Sequence, residues 1–407
     1  MSLETLAVIG GLWGLGSAAT ALWAANRLYR RLPVLDAPVT AEAVVIIPAS
    51  GPFANLGPLM RALGRQHCRP QAVIFSVESE ADPAFAALLA RLGGQAGADP
   101  ETGLPVRLVI AGEAVAGGQK SHNLAAALRR HGRDAPHLVL ADADILPPPD
   151  WLAHLLRPLV RGAADIVTGY RWPLPHDHRL ATVLGTWIDR GVAGLPKPGR
   201  GWLIWGGSVA LTPAVVERLG LADLWQHELS DDLALAEAAR AAGLRILFRG
   251  AVLVPTPFGH SLPSLLGFGR RQYQMFLLYQ PWLWAWAGAT VALNLFGSLA
   301  LLGLALFGGW GGAAAFALAA LFGLLGDRER RRIAAKAGIA AGGEPRAEGA
   351  LRLVPLIMPL VHLLHLTAFL GSLRRGRVDW GHCIYRMRGR RVIAITRRPW
   401  STKVSPP

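Results

Sequence analysis

The stretch LVLADAD, Leu138 to Asp144, decides the fold. An apolar run that stops abruptly at two carboxylates reads as a buried strand whose carboxyl end opens on a polar cleft. Working outward, AVVIIPAS (Ala43 to Ser50) and AVIFSVES (Ala72 to Ser79) are short β-branched runs separated by a helical pattern from Asn55 to Gln66. ADIVTGY (Ala164 to Tyr170) follows a second helical stretch. Strands that alternate with helices predict an α/β domain with a largely parallel sheet, whose ligands bind at the strand carboxyl ends. The acids stand at those ends.

The 407 residues allow two or three structural units. Hydrophobic residues make up 52% and charged residues only 17%, a balance that fits a protein partly dissolved in lipid. A net charge of +15 suits either nucleic acid or an anionic membrane. Arginines cluster beside apolar runs (Arg27, Arg30 and Arg31; Arg328, Arg330, Arg331 and Arg332; Arg374, Arg375 and Arg377), so the membrane is the expected partner and nucleic acid is not. Cys68 and Cys383 have no metal-ligand spacing and suggest no disulfide framework.

Leu6 to Ala25 is charge-free and long enough for one crossing. A cleaved signal peptide is the alternative, but the arginines follow the run, which favours an anchor with its C-terminal end cytoplasmic. Gln272 to Gly326 carries no charge and suits two crossings joined near Gly308. Leu353 to Leu373 is a further apolar run, interrupted by Pro355, Pro359, His362 and His365 and flanked on both sides by basic residues. It reads equally as a crossing or as a re-entrant or interfacial segment. The expected units are an anchor (1–31), a cytoplasmic catalytic domain (32–259), an interfacial amphipathic segment (260–280), two transmembrane helices (281–326), a basic loop (327–352), a third C-terminal membrane segment (353–373) and a basic tail (374–407).

Asp142 and Asp144 are either solvated loop caps or ligands of Mg2+ or Mn2+, which takes one or two carboxylates when it is bound to a diphosphate. The strand from Ala72 also ends in acids, Glu78 and Glu80; Asp82 before Pro83 reads as a helix cap, whereas Glu78 can accept a hydrogen bond from a nucleobase N–H. GGQKSHNL (Gly117 to Leu124) offers Lys120, Asn123 and backbone amides to a diphosphate, without the spacing of a Walker loop. WGGSVAL places Gly206, Gly207 and Ser208 where a backbone can approach a sugar closely. In ELSDDLAL, Glu228 reads as a rim acid and Asp231 as a helix-start acid, and Asp232 is the one expected to point into the cleft. His260 opens an interfacial aromatic stretch and is a candidate acceptor contact beside its plainer reading as a loop histidine.

In this order the motifs resemble membrane-bound family 2 glycosyltransferases, and most of all family 21, the ceramide glucosyltransferases and their bacterial relatives. The resemblance covers nearly the whole chain, including WGHCIYRMRG (Trp380 to Gly389), which is similar to the family's W-R-x-x-x-Y-R pattern. It implies a GT-A-type, Rossmann-like nucleotide-sugar domain with N-terminal and C-terminal transmembrane helices in the inner membrane. It also implies nucleotide contacts from Glu78 or Glu80, Lys120, Asn123 and Asp142, metal contacts from Asp142 and Asp144, and Asp232 as catalytic base. Asp231, Gly206, Gly207, Ser208, His260 and Trp380 stand near the acceptor or sugar. The (Q/R)-x-x-R-W motif is incomplete: Arg271 fits its first position, but Gln274 and Met275 replace its Arg-Trp, so Arg270 or Arg271 is left to meet phosphate.

Glycosyl transfer needs positive charge on the leaving diphosphate and a base on the acceptor hydroxyl, and one base without a separate nucleophile implies inversion. The expected reaction is hexose transfer from UDP-glucose to a lipid hydroxyl, with ceramide the first candidate. A hopanoid or other polyisoprenoid lipid is the alternative acceptor, and an inactive membrane scaffold the alternative class. A processive polysaccharide synthase needs more crossings and an intact motif.

Overall fold

A computed structural model describes all residues except 1, 34, 36, 95–96, 196–202, 340–341 and 401–407. Among the described residues, seven strands form the main sheet: β1 (Ala43–Pro48), β2 (Ala72–Val77), β3 (Val106–Ile110), β4 (His137–Ala141), β5 (Ile166–Pro175), β6 (Ser208–Leu211) and β7 (Ile246–Phe258), in the order β3-β2-β1-β4-β6-β5-β7. The pairs β3-β2, β2-β1, β1-β4 and β5-β7 are parallel, and β6 runs antiparallel to both neighbours. Period-two alternation explains why these strands read as continuous apolar runs. Val44, Ile46 and Ile74 face one core, while Val45, Ile47, Val73 and Phe75 face another.

Before the sheet comes α1 (Leu3–Arg31); between its strands lie α2 (Leu56–Gly64), α3 (Pro83–Arg91), α4 (Gln119–His131), α5 (Trp151–Val160), α6 (Leu180–Gly194), α7 (Pro213–Leu219), α8 (Leu221–His227) and α9 (Asp231–Ala241). Several of these starts are set by side chains. Asp82 caps α3 ahead of Pro83, and Ser230 caps α9 by accepting from Leu233 N.

Beyond the sheet follow α10 (Leu262–Tyr279), α11 (Pro281–Phe307), α12 (Gly309–Lys336), α13 (Pro345–Ala350), a 3-10 turn at Leu351–Ile357, and α14 (Met358–Gly371). A three-stranded antiparallel sheet, β8 (Arg377–Trp380), β9 (Cys383–Arg388) and β10 (Arg391–Arg397), closes the described chain. Leu3–Arg31, Pro281–Phe307, Gly309–Lys336 and Pro345–Gly371 are long and apolar enough to cross a membrane. Residues 327–336, expected in a basic loop, instead continue α12. The charged end of that helix is held by pairs at helical spacing, Asp327 with Arg331 and Glu329 with Arg332.

The N-terminal helix is part of a bundle. It packs along α11 and α12, and Trp13 Nε1 donates to Asn294 Oδ1 at 3.0 Å. Gly14 and Gly297 bring the α1 and α11 backbones together, since a Cβ on Gly14 would lie 2.8 Å from Gly297 O. At the other end, Ala25, Leu32 and Ile333 pack with Trp172, Ala193 and Leu253 of the sheet domain, which ties the bundle to β5, β7 and α6. Gly14→Leu is expected to force α1 away from α11 and cost about 1–3 kcal/mol. A thermal unfolding scan in detergent should show a lower midpoint, and an unchanged midpoint contradicts this packing.

Candidate active site

Antiparallel pairing of β4 with β6 sets Ala141 opposite Ser208, so Asp142 begins beside Gly207 and its N–H donates to Gly207 O at 3.2 Å. Helix α4 brings Lys120 to the same place. Its Nζ lies 2.7 Å from Asp142 Oδ1 and 3.4 Å from Asp231 Oδ2. Burial alone would lower the Lys120 pKa, but the surrounding carboxylates of Asp142, Asp231 and Asp232 outweigh it and raise it above the usual lysine value. Three separate segments therefore meet at one ammonium.

The two glycines make room for this meeting. A Cβ on Gly206 would lie 2.5 Å from Asp231 Oδ2 and 3.2 Å from Lys120 Nζ; on Gly207 it would lie 2.5 Å from Asp142 Oδ2 and overlap the Trp205 ring. Asp232 is partly open and firmly oriented: Oδ1 accepts from Ser230 Oγ at 2.5 Å and Leu233 N at 2.7 Å, and Oδ2 from Gly206 N at 3.1 Å. Two carboxylate oxygens have about four acceptor sites, so one remains. Asp231 differs, being only 2% exposed, with an Oδ1 that has no hydrogen-bond partner among the described residues. Burial pushes its pKa up to about 6, with Lys120 pulling it back and Asp232 adding to the rise.

Asp144 stands next to this cluster. Burial and the neighbouring charge of Asp142 push its pKa up to about 7, against the pull of Arg171 and Lys120. Opposite, Arg271 of α10 is stacked between Phe268, 5.5 Å from its ring centre, and Trp380, 5.3 Å from its ring centre, with no carboxylate partner among the described residues. Burial and Arg171 lower it to about 10, while Asp142 supports its charge. Lys120 occupies only Oδ1 of Asp142, so Asp142 Oδ2 and the Asp144 carboxylate, which a bound cation would keep ionised, are the hard oxygen donors of the cluster. That donor set fits Mg2+ or Mn2+.

Several expected site residues lie elsewhere. Glu78 is 2% exposed and engaged by the C-terminal sheet: Arg397 pairs with one oxygen and His382 Nε2 lies 2.8 Å from the other. It is therefore not an open nucleobase acceptor in this conformation, and Glu80 is exposed on the following turn. Glu78, His382 and Cys383 offer metal-ligand atoms within 4.8 Å of one another, but Arg397 already supplies positive charge there. Asn123 is buried and pins α4 to β2, donating to Ser76 O at 3.2 Å and accepting from Gln119 Nε2 at 2.8 Å. Ser208 accepts from Trp151 Nε1 at 2.7 Å inside the core, which corrects its reading as a sugar contact.

The amides expected to cradle phosphate are also taken. Gly118 N donates to Glu228 O and Gln119 N to Tyr385 Oη, both at 3.0 Å. Gly117 and Gly118 are small because the backbone of residues 226–229 passes over them. Of the two arginines on α10, Arg270 pairs with Asp379 at 3.4 Å, which leaves Arg271 on the site side. Gln274 Nε2 holds Arg374 O at 2.8 Å and Arg377 O at 3.0 Å, and Met275 lies in the core, so the positions that break the arginine-tryptophan motif serve packing. His260 is buried with Nδ1 2.8 Å from Ser264 Oγ, and burial with the charges of Arg171 and Arg271 lowers its pKa to about 4.

Two further residues carried no sequence signal. Arg171 pairs with Asp189 of α6, lies 4.7 Å from the Phe268 ring centre and acts on both Asp144 and Arg271. Tyr279, the last residue of α10, accepts from Leu229 N at 3.0 Å and Ser230 N at 3.1 Å and donates to Glu228 Oε2 at 2.7 Å. The segment that delivers Asp231 and Asp232 is therefore fixed by the helix that precedes the candidate span α11.

The sequence profile of glycosyl transferase family 21 matches residues 6–393. No curated protein matches the chain. Among solved structures the chain is similar to mannosyltransferase PcManGT from Pyrobaculum calidifontis in complex with GDP-Man and Mn2+, at 18% identity and a TM-score of 0.51, over 92% of this chain and 99% of that one. It is also similar to glucosyl-3-phosphoglycerate synthase from Mycobacterium tuberculosis in complex with Mn2+, UDP and glucosyl-3-phosphoglycerate, at 15% identity and a TM-score of 0.33, over 54% of this chain and 72% of that one. The first likeness, with the parallel-dominated sheet, places the domain in the expected GT-A-type fold.

Tyr279→Phe strands the buried N–H groups of Leu229 and Ser230 and is expected to cost about 1–3 kcal/mol for each group left unpaired. Thermal unfolding should register the loss, and an unchanged midpoint contradicts the role assigned to this hydroxyl. The second expectation concerns pH. Burial would lower the His382 pKa, but Cys383 and Glu78 outweigh it and raise it from 6.5 to about 9; burial would raise Glu78, but His382 and Arg397 hold it below 4.5. The imidazolium contribution to docking of the C-terminal sheet is thus complete below 6.5 and lost as pH rises through about 9. The Glu78 contribution is present above 4.5 and lost on acidification. Hydrogen exchange corrected for intrinsic pH effects should show protection of residues 383–397 falling on the alkaline side, and flat protection contradicts the pairing.

Proposed function

The chain belongs to glycosyl transferase family 21, and on that premise we propose that it is an inverting hexosyltransferase that moves glucose from UDP-glucose to the hydroxyl of a membrane lipid, ceramide. The observation that carries this reading is the meeting of Lys120, Asp142, Asp231 and Asp232 around Gly206 and Gly207, with Asp144 and Arg271 beside them. In this proposal Lys120 and Arg271 receive the diphosphate, one as a point charge and the other as a preoriented guanidinium. Asp142 and Asp144 hold Mg2+ or Mn2+, which when bound supplies further charge to the leaving group. Asp231 keeps Lys120 in place.

Asp232 takes the proton of the lipid hydroxyl as that oxygen attacks the anomeric carbon from the side opposite the leaving group. Three hydrogen bonds fix its direction, and its partial exposure admits an acceptor. The arginines at the domain end of α1 and α12 favour a cytoplasmic catalytic domain on the plasma membrane, the inner membrane of a bacterium. A hopanoid or polyisoprenoid acceptor is the second reading, favoured by Gln274 and Met275 where the ceramide branch carries Arg-Trp.

Purified protein in lipid nanodiscs, given labelled UDP-glucose and ceramide, should form a glycolipid. Asp232→Asn is expected to lower kcat by about 10²–10⁴-fold with the donor KM little changed. Asp231→Asn should act mainly on donor KM. Full turnover by Asp232→Asn contradicts the base assignment; absence of product with ceramide, but product with other donors or lipid extracts, moves the acceptor or sugar. No turnover of any nucleotide sugar contradicts the enzyme reading.

A further inference from the structure

We propose that residues 345–371 enter the membrane and leave it by the same face, and that the cleft between this re-entrant segment and α6 holds the hydrocarbon tail of the lipid acceptor. The inference rests on the lipid-acceptor reading given above. Both ends of the segment are fastened to one folded domain. At its start, Glu344 N donates to Pro175 O of β5 at 2.6 Å, and Arg190 of α6 binds Glu348 through Nη1 at 3.0 Å and Nη2 at 2.6 Å. At its end, Gln274 holds Arg374 O and Arg377 O, and the sheet that follows bonds Tyr385 Oη to Gln119 N and Arg397 to Glu78. A domain that contains Arg190, Gln119 and Glu78 cannot lie on both sides of a bilayer.

Length agrees with this path. The 14 residues of α14 extend about 21 Å at the usual helical rise, short of the roughly 30 Å of a hydrocarbon core. The turn is built at Pro355, which lies in the 3-10 stretch and packs against Gly323 of α12, where a Cβ would lie 2.7 Å from the Pro355 Cβ. On its way back α14 runs along α11, with His362 Nδ1 3.0 Å from Ser298 Oγ and Phe369 stacked 4.6 Å from Trp284. The segment is a wedge beside the bundle.

Between the wedge and the start of α6 lies an open cleft of about 390 Å³, lined by Leu180 and Val183 on one side and Leu353, Leu356 and Ile357 on the other, with His178 at its edge. This is within the size range of ligand sites. Leu180 is 57% exposed and Leu353 is 62% exposed. Its walls continue the apolar surface of a segment long and apolar enough for the membrane, so hydrocarbon is the occupant that they suit. The cleft also leads to the catalytic side. In the same turn of α6, between Leu180 and Val183, Thr182 Oγ1 accepts from His260 N at 3.0 Å, and Ala181 packs with Phe258 and Leu265. His260 lies 5.5 Å from the Phe268 ring on which Arg171 and Arg271 rest.

Two measurements on the full chain test this. In oriented vesicles, Arg346→Cys and Arg386→Cys are expected to react with a membrane-impermeant maleimide from the same side as Arg65→Cys; reaction of the first two from opposite sides overturns the re-entrant path. In phosphatidylethanolamine-phosphatidylglycerol nanodiscs, ceramide carrying a diazirine at its acyl end should label residues 180–183 and 353–357, and unlabelled ceramide should compete. Leu180→Trp and Leu353→Trp, both at exposed positions, are expected to raise KM for long-chain ceramide roughly tenfold, the effect of losing about 1.4 kcal/mol of contact, with the UDP-glucose KM unchanged. Uncompeted labelling, labelling confined to α1 and α11, or an unchanged ceramide KM overturns the cleft. Wild-type protein that labels competitively but makes no glycolipid contradicts the acceptor reading and leaves the cleft standing as a lipid site.

Discussion

The ammonium of Lys120 between Asp142 and Asp231 is the constraint on which the rest of the site depends. One carboxylate follows β4, the other opens α9, and the lysine stands in the first turn of α4. Closely placed carboxylates are costly to ionise together away from bulk water, and a buried cation offsets their repulsion. The same close meeting explains the sequence around it. Gly206 and Gly207 are needed because a side chain there would run into Asp231 or Asp142, and Gly117 and Gly118 because the α9-leading backbone crosses them.

Membrane and catalytic parts are coupled through α10. Its Arg271 faces the carboxylates, its Gln274 carries the start of the C-terminal sheet, and its Tyr279 fixes the segment before α9. The C-terminal sheet adds a second brace, since Arg390 reaches Glu228 and Glu237, and Tyr385 receives the first N–H of α4. Apolar segments therefore do more than attach the domain. Through α10 they are joined to the segment that carries Asp231 and Asp232.

The α/β order was legible because buried parallel strands leave apolar runs, and Asp142, Asp144, Lys120 and the Ser230-Asp231-Asp232 turn were legible because strand ends and helix starts have local signatures. Glu78 was not, because its partners His382 and Arg397 lie some three hundred residues away in sequence. Asn123 and Ser208 look like ligand contacts in a motif, yet the fold uses their polar atoms to bind neighbouring elements. Arg171 had no motif, and its place follows only from the pairing of β5 with β7 and from Asp189 on α6. The two basic flanks of residues 353–373, contradictory for a simple crossing, are compatible with a segment whose two ends touch the same domain.

The most direct test of the account is a comparison of membrane lipids by mass spectrometry from cells with the wild-type protein, with Asp232→Asn, and with none. The account predicts a lipid carrying one added hexose, present only with the wild type, and ceramide as its aglycone. Identical lipid profiles in the three strains, with the protein expressed and folded in the first two, would contradict it.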